Sequence, residues 1–320
     1  MKIHYSPLRY PGGKGKLANY IKMVIEQNQL KGGYYIEPYA GGASIALDLL
    51  INKYASKILI NDIDKSIYAF WHSVVNETDA LCELIKKTRI NINSWKNQKT
   101  IQTQKDTRSL IKLGFSTFFL NRTNHSGIIN GGVIGGVDQS GIWKINARYN
   151  KKVLIERIKT IAALKDKIEI YNLDACKFLD IADAISPQKS LFYLDPPYYV
   201  KGKALYVNHY SEEDHAVVAK HIKEMSNRNW IVSYDYVPQI IKLYNEFRKK
   251  IYTINYSVSK HSKKGKEVII FSNNLNVPSI KNPLKANKLK LLPCNCDCIK
   301  NSGDTIHNSK LKLPSYHFQR

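Results

Sequence analysis

The chain has 320 residues, 43% of them hydrophobic, which is enough for one large domain or two smaller ones with a substantial core. Its 49 Lys and Arg against 26 Asp and Glu give a formal net charge of +23, which favours a polyanionic partner, although a generally basic proteome would give the same balance. Five cysteines argue against a secreted disulfide framework, and no signal peptide or membrane-spanning apolar run is present, so we expect a cytoplasmic protein that does not enter a membrane.

A glycine-rich loop occupies residues 5–16, Tyr-Ser-Pro-Leu-Arg-Tyr-Pro-Gly-Gly-Lys-Gly-Lys. Its glycines let the backbone approach a ligand closely. The spacing is not that of a phosphate-binding P-loop, and a plain entry loop is the alternative. An amphipathic helix should follow, because Leu17, Ile21, Val24 and Ile25 recur at helical spacing.

Residues 34–52 predict a short strand, a turn at Glu37, a pair of glycines and a helix. This unit lacks the Gly-x-Gly-x-x-Gly dinucleotide fingerprint. The next predicted strand ends at Asp62, roughly 20 residues after Gly41, a spacing at which an acid meets ribose hydroxyls. We favour that role over its alternative, a cap on the helix predicted over residues 63–76.

Residues 77–165 lose the alternation of strands and helices. Residues 121–136 are dense in side chains that hydrogen-bond base edges or phosphates, and their glycines permit the backbone to enter a groove. Residues 141–150 show partial strand alternation, whereas residues 91–105 predict a loop or a solvated helix. The alternative to a nucleic-acid interface is an ordinary glycine-rich surface hairpin.

The most informative stretch is residues 190–199, Ser-Leu-Phe-Tyr-Leu-Asp-Pro-Pro-Tyr-Tyr. Five mostly apolar residues predict a buried strand, and two prolines, which cannot donate to a sheet ladder, end it. Asp195 is itself restrained because it precedes a proline. A carboxylate, a proline carbonyl and an aromatic ring are therefore held at the carboxyl end of a strand, where open α/β sheets bind ligands.

Such a group suits a planar ring that carries an exocyclic amine. Asp195 would accept one N–H of the amine, the Pro196 carbonyl would accept the other, and Tyr198 would stack on the ring. For an isolated Asp-Pro-Pro run, a turn after a core strand would be the better interpretation. Tyr198 and the other motifs reverse that preference.

Carboxylates and histidines mark the elements around this stretch. A strand over residues 168–173 ends at Asp174, for which the cap of the following helix is a serious alternative to a ligand contact. Residues 211–214 predict a capping box at the start of another helix, on which we expect His215 and His221 at the surface.

The last predicted elements are a strand over residues 230–234, a helix over 237–248, and two strands over 252–257 and 267–273. The connection between the two strands holds lysines that either contact phosphate or form a solvated hairpin tip: Lys260, Lys263, Lys264 and Lys266.

The segment from residue 276 to 320 is predicted to be a basic, partly disordered tail. Cys294, Cys296 and Cys298 alternate there, which differs from the Cys-x-x-Cys spacing of zinc sites and favours free thiols. We predict no metal.

The Asp195-Pro196-Pro197-Tyr198 motif, together with the motifs at 10–14 and 37–42, resembles the Dam-type DNA adenine methyltransferases, which use S-adenosylmethionine. The resemblance covers roughly residues 5–273. It implies an α/β fold with a Rossmann-like, mostly parallel sheet, an antiparallel terminal hairpin strand and an inserted DNA-recognition subdomain. The expected parts are a catalytic domain (1–76 and 166–275), an inserted target-recognition domain (77–165) and the tail (276–320).

The resemblance also implies roles for individual residues. Those expected to bind S-adenosylmethionine are Tyr10, where relatives often have Trp, and Lys14, Glu37, Tyr39, Gly41, Asp62, Asp174 and Asp195. Those expected to act on the base are Asp195, Pro196 and Tyr198. Those expected to contact DNA are Arg122, Asn124, His125, Ser126, Asn130, Lys144, Arg148, Lys260, Lys263 and Lys264.

The implied reaction moves a methyl group from the sulfonium of S-adenosylmethionine to the N6 amine of an adenine that has rotated out of double-stranded DNA. The alternatives are methylation of the cytosine N4 amine or of RNA adenine, and a catalytically dead DNA-binding regulator. Protein glutamine methylation uses a related motif with Asn in place of Asp195, and the charge of +23 also argues against it. We expect a monomer, with a cognate restriction endonuclease as a conceivable partner.

Overall fold

The computed structural model describes residues 5–10, 14–199, 210–258 and 261–286, with the side chains of 255–258 and 261–264 outside the description. A seven-stranded sheet in the order β3-β2-β1-β4-β5-β7-β6 forms its centre. The strands are β1 (Gly33–Glu37), β2 (Ala55–Asn61), β3 (Ile168–Tyr171), β4 (Ser190–Leu194), β5 (Asn229–Asp235), β6 (Arg248–Val258) and β7 (His261–Phe271).

Strands β1 to β5 are parallel, and β7 runs antiparallel to both β5 and β6. This arrangement confirms the predicted fold class, a Rossmann-like α/β sheet that ends in an antiparallel hairpin. The strand order reverses between β1 and β4, which are direct neighbours. In open α/β sheets a ligand binds outside the carboxyl ends of the strands at such a reversal.

Helices cover both faces of the sheet. They are α1 (Ala18–Gln27), α2 (Ser44–Ile51), α3 (Lys65–Asn76), α4 (Thr78–Lys87), α5 (Ile92–Thr103), α6 (Leu110–Thr123), α7 (Lys151–Ala162), α8 (Ala175–Ile185), α9 (Glu212–Glu224) and α10 (Pro238–Leu243). In the described residues, no helix is both long and apolar enough to cross a membrane.

Alternate residues of the central strands enter two separate cores. Tyr35, Leu191 and Tyr193 pack against the helices α1 to α4, α6 and α7. Their chain neighbours Ile36 and Phe192 face the other way, toward α8, α9 and α10. Side chains of a strand alternate between its faces, so a strand covered on both sides must be apolar throughout, as β4 is.

Several predicted segments differ in extent or type from the structure. The helix expected over 237–248 ends at Leu243, and β6 already begins at Arg248, because Arg248 pairs with Phe271 of β7. Residues 91–105 contain a real helix, α5, which packs on α6 with Gln98 buried. Residues 141–150 form turns rather than a strand.

The start of α9 follows the predicted cap, whereas the burial of a histidine in the same helix differs from the prediction. The capping box at Ser211 is confirmed, with Asp214 as its reciprocal partner. The expectation of a surface position for His215 is wrong: its side chain is 1% exposed, and its Nδ1 lies 3.0 Å from the Tyr234 hydroxyl. Burial lowers the pKa of His215, although nearby acids such as Asp235 oppose that effect.

Gly114 on α6 marks the closest approach of α6 to α3. A Cβ at this position would lie 2.4 Å from the Ala69 carbonyl oxygen and 2.4 Å from Ser73 Oγ. We expect Gly114→Ala to destabilise the fold by about 1–2 kcal/mol, because overpacking outweighs the gain in helix propensity. Urea unfolding would measure this.

Gly132→Ala is the matched control, since no atom lies within 4 Å of a Cβ at that position. Its free energy of unfolding should stay within about 0.5 kcal/mol of the unsubstituted protein. Equal stability of the two variants would contradict the close α3–α6 packing.

Candidate active site

Carboxylates converge at the carboxyl edge of the sheet. Glu37 ends β1, and Asp195 directly follows β4, the strand that pairs with β1. Asp62 follows β2, the other neighbour of β1. The register of three parallel strands therefore brings these acids together, as their positions in the sequence predicted.

One oxygen of Asp195 is held by two donors. Ser233 Oγ donates to Oδ1 at 2.7 Å, and Lys14 Nζ lies 3.1 Å from the same atom. Burial raises the pKa of the Asp195 carboxyl, against the opposing effects of Lys14 and Ser233. The side chain retains 21% exposure. The Asp195 carboxylate is thus held in a fixed position and remains partly accessible to solvent.

Lys14 lies at the centre of a buried polar network. Its Nζ is 3.5 Å from Glu267 Oε1 and donates to the Tyr198 hydroxyl at 3.0 Å. The Tyr198 hydroxyl donates in turn to Glu267 at 2.8 Å, and Tyr252 donates to the second oxygen of Glu267. Burial lowers the pKa of Lys14, but the charges of Asp195 and Glu267 outweigh it, so the pKa lies well above its usual value.

The network changes how two predicted residues are placed. Lys14, expected at the cofactor, contacts the Asp195 carboxylate, and its contact with the cofactor stays a prediction. Tyr198, expected to stack on a base, is 3% exposed and held by its hydroxyl, so its ring has no open face in this conformation. Tyr199 is the more exposed ring, and its backbone N–H donates to Asp235 at 2.9 Å. Pro196 is buried directly after Asp195.

The glycine turn after β1 has a shape that another residue would not adopt. Gly41 has a φ of 46°, and a Cβ there would lie 2.7 Å from the Tyr10 ring. Its N–H donates to Asp62 Oδ2 at 2.9 Å, and its carbonyl accepts from Trp71 Nε1 at 2.9 Å. Tyr10 therefore covers a tight backbone loop, which suits close approach to a ligand.

Asp62 is not the cap of α3; Asp64 is, accepting from the Ser66 N–H at 2.9 Å. Asp62 instead accepts from the backbone N–H groups of Gly41 and Asp64. Burial, followed by the charge of Asp64, raises the pKa of Asp62 to about 7. The geometry is consistent with the ribose role, which stays a prediction.

Glu37 is the least satisfied acid at this edge. It is 5% exposed, and no hydrogen-bond partner holds its Oε2 within the described chain. Burial, and then the charge of Asp195, raise the pKa of Glu37 well above its usual range. A buried oxygen without a partner fits a ligand that brings a donor, such as the hydroxyl or amine groups of a nucleoside cofactor.

The other two predicted cofactor residues have partners within the protein. Tyr39 lies 3.0 Å from the Tyr210 hydroxyl. Asp174 caps α8 by accepting from the Cys176 and Lys177 N–H groups, which is the alternative that the sequence left open. A contact between Asp174 and the cofactor's adenine stays a prediction.

The predicted DNA-contacting residues divide into two groups. His125, Ser126 and Arg148 line a cavity of about 550 Å³, next to Trp143, which is 66% exposed. Asn130 lines a separate cavity of about 260 Å³. Exposed Lys144 donates to the Gln139 carbonyl at 2.6 Å. Outside the description lie Lys260, the side chains of Lys263 and Lys264, and the tail cysteines.

Two residues of the set are buried beneath this surface. Asn124 is 0% exposed: it accepts from Trp95 Nε1 and donates to the carbonyls of Ile128 and Ile129. Its expected contact with DNA therefore needs correction, because these bonds make it a support of the loop. Arg122 is 8% exposed.

Sequence reasoning missed Glu267, Tyr252 and Ser233. Each lies on a strand whose alternation predicts burial, and polar residues among buried apolar neighbours were the available signal. Their partners come from residues 14, 195 and 198, far away in the chain, so the pairing could not be read from the sequence.

This fold and this edge of carboxylates define an α/β methyltransferase. The chain belongs to the D12 class N6 adenine-specific DNA methyltransferases, whose family model matches residues 10–265. It is an adenine-specific DNA methyltransferase that uses S-adenosylmethionine, which confirms the predicted family, activity and cofactor.

Individual relatives are distant. Type II methyltransferase M.MjaIII of Methanocaldococcus jannaschii is 24% identical over 241 residues, which cover 69% of this chain and 80% of that protein. Among solved structures, the rRNA methyltransferase aviRa of Streptomyces viridochromogenes is 9% identical, with a TM-score of 0.39 and coverage of 83% and 87%. The Pyrococcus horikoshii protein PH1948, assigned to the RNA methyltransferases, is 12% identical, with a TM-score of 0.39 and coverage of 83% and 85%.

Lys14 lowers the pKa of Asp195, so its removal should raise that pKa further. We expect the acid limb of the pH–rate profile of Lys14→Met to move upward by about 1–3 units, because Asp195 must be ionised to accept an amine N–H. Methyl transfer measured from pH 5 to 9 would test this. Exposed Lys16, changed to Met, is the control, and a profile shared by both variants would contradict the coupling.

The pKa of about 7 for Asp62 predicts a pH dependence of cofactor binding. A carboxylate accepts hydroxyl hydrogen bonds better than a carboxylic acid does, so affinity should rise with pH by at most about tenfold per unit below pH 7. Calorimetric titration with S-adenosylmethionine between pH 6 and 8 would measure this. Asp62→Asn should flatten that dependence; an identical slope in both proteins would exclude Asp62 as its source.

Proposed function

We propose that this protein methylates adenine N6 at specific sites in double-stranded DNA, with the base rotated out of the duplex and held at Asp195. The observation that carries the proposal is the fixed carboxylate at the end of β4, anchored through one oxygen by Lys14 and Ser233. Within the described residues, no hydrogen-bond partner is seen for its second oxygen, which suits it to accept an N–H of the amine.

The cofactor pocket is proposed to lie on the other side of the same edge. Glu37 offers a buried oxygen that needs a donor, Asp62 offers a carboxylate at the end of β2, and Tyr10 and Gly41 form a tight wall. When bound, S-adenosylmethionine supplies a methyl group on an electrophilic sulfonium sulfur.

The residues of the chain mainly orient the amine and accept its proton. Asp195 and the Pro196 carbonyl orient the amine so that its lone pair faces the methyl group, an alignment for which effective molarities of about 10⁵ M or more are attainable. Bound S-adenosylmethionine would supply the methyl group and keep the C–S electron pair on its sulfur, and the amine would become acidic as it gains the methyl group. Asp195 then accepts the proton, and Lys14 stabilises the carboxylate beforehand.

DNA binding is proposed to centre on residues 77–165, which we propose as the target-recognition part beside a catalytic part formed by 1–76 and 166–275. The support is the cavity lined by His125, Ser126 and Arg148, with the exposed side chain of Trp143 at its edge. Extrusion of an adenine costs a few kcal/mol, which phosphate contacts by cations would offset.

The biological setting is part of the proposal. The name of the Methanocaldococcus relative, a type II methyltransferase, supports a role beside a cognate restriction endonuclease. We propose a monomer that works in the cytoplasm, where its DNA substrate would be.

Asp195→Ala should abolish methyl transfer, because the amine loses its acceptor, while most DNA affinity remains, because affinity comes from distant cations. Mass spectrometry of nucleosides after incubation with DNA and S-adenosylmethionine would measure N6-methyl-2′-deoxyadenosine and N4-methyl-2′-deoxycytidine, and fluorescence anisotropy would measure binding.

Asp166→Ala, which removes an exposed carboxylate after α7, is the control and should retain full activity. Normal formation of N6-methyl-2′-deoxyadenosine by Asp195→Ala would reject the role of Asp195. N4-methylcytosine from the unsubstituted protein would reject the adenine assignment.

A further inference from the structure

Four arginines from three parts of the chain lie at or near the 550 Å³ cavity lined by His125, Ser126 and Arg148, which we call the recognition cavity. Arg9 lies in the N-terminal loop, Arg122 in the last turn of α6, Arg148 just before α7, and Arg157 within α7. Burial, and then the charges of Arg157, Arg9 and Arg148, lower the pKa of Arg122. Burial, and then the charge of Arg148, lower the pKa of Arg9, so these side chains lie near one another. We refer to these four residues as the arginine cluster.

No carboxylate neutralises the arginine cluster within the part of the chain that the structure describes. Arg9 donates to the Asn124 carbonyl and Arg157 to the Ser6 carbonyl, both at 3.4 Å, which is long for a hydrogen bond. Grouped cations without a counter-charge repel one another and are costly to desolvate. Such an arrangement is stabilised when an anion enters.

Arg122 is an independent sign of a ligand. Its side chain is 8% exposed, and its Nε has no hydrogen-bond partner among the described residues. A buried guanidinium N–H is normally satisfied, since leaving it unpaired carries the full cost of its desolvation. An incoming acceptor would satisfy it.

The surroundings indicate which anion fits. Arg9 and Arg148 line the 550 Å³ cavity, and Arg148 lies over the Trp143 ring at 5.8 Å from its centroid. Guanidinium groups bind the oxygens of a phosphate in pairs. A cavity that joins cations to an exposed aromatic ring suits a phosphate with a base or sugar attached.

We propose that the arginine cluster binds a phosphate of the DNA backbone at the border of the recognition cavity. The proposal rests on the proposed function and deepens it: Arg9 and Arg157 become DNA-binding residues, although neither was among those expected from the sequence. It also gives Arg122 a role that its burial seemed to deny, as the innermost donor of an anion site.

Arg157→Met tests the arginine cluster, and Lys159→Met, an exposed cation two residues along the same helix, is the matched control. DNA affinity would be measured by anisotropy from 50 to 200 mM salt. Loss of one phosphate contact should reduce the slope of log K against log salt by about 1, equally for specific and unrelated sequences. Over this range the affinity of Arg157→Met should therefore fall roughly fourfold less than that of the unsubstituted protein.

Arg9→Met is a second variant with the same expectation, and thermal unfolding would verify that each variant is folded. Arg157→Lys should retain most of the slope because it keeps the charge. A slope for folded Arg157→Met and Arg9→Met equal to that of Lys159→Met would overturn the proposal. So would weaker S-adenosylmethionine binding with an unchanged slope, which would assign the cluster to the cofactor carboxylate.

The same preparations separate this proposal from the proposed function. Formation of N6-methyl-2′-deoxyadenosine with an unaltered slope in both arginine variants would reject the phosphate site and leave the enzyme activity intact. Absence of methyl transfer to DNA by the unsubstituted protein would reject the function, whatever the slopes are.

Discussion

A single buried ammonium group, that of Lys14, joins three distant parts of the chain at the carboxyl edge of the sheet. It pairs with Asp195 after β4 and with Glu267 on β7, and it donates to Tyr198. One cation between two carboxylates leaves a net negative charge, so Asp195 can remain an acceptor while being held in place. Glu267 belongs to the antiparallel hairpin, so the hairpin takes part in the site as well as closing the sheet. Removal of one partner of a buried ion pair typically costs about 3–5 kcal/mol.

The second constraint is that β1 and β4 are neighbours. Because the strand order reverses between them, Glu37 and Asp195 share one edge, and the charge of Asp195 adds to the burial that raises the pKa of Glu37. A methyl donor and a methyl acceptor must meet within a bond length, which two adjacent strand ends provide. Helices on both faces make those strand ends rigid.

Much of this arrangement was predictable because it depends on local patterns. Strand β4, the prolines after it and the spacing from Gly41 to Asp62 are features of short stretches of sequence. The structure contains that strand and a hydrogen bond between Gly41 and Asp62. Glu267, Ser233 and the burial of His215 depend on which strands become neighbours, which no local pattern encodes. The sequence placed Lys14 in a loop without indicating its ion pair with Asp195, and the prediction for Asn124 missed three internal hydrogen bonds that use its amide.

Arg9 and Tyr10 are consecutive residues at two different proposed sites, Arg9 at the DNA site and Tyr10 at the cofactor site. The Asn121 side chain binds both the N–H and the carbonyl of Arg9, which fastens this loop to α6, while the Tyr10 ring lies against the turn at Gly41. Because one peptide unit joins Arg9 to Tyr10, a movement of the loop at one pocket also moves the residue at the other pocket. If both proposed sites are correct, the methyl donor and the nucleic acid share this loop, and binding of one would position the loop for the other.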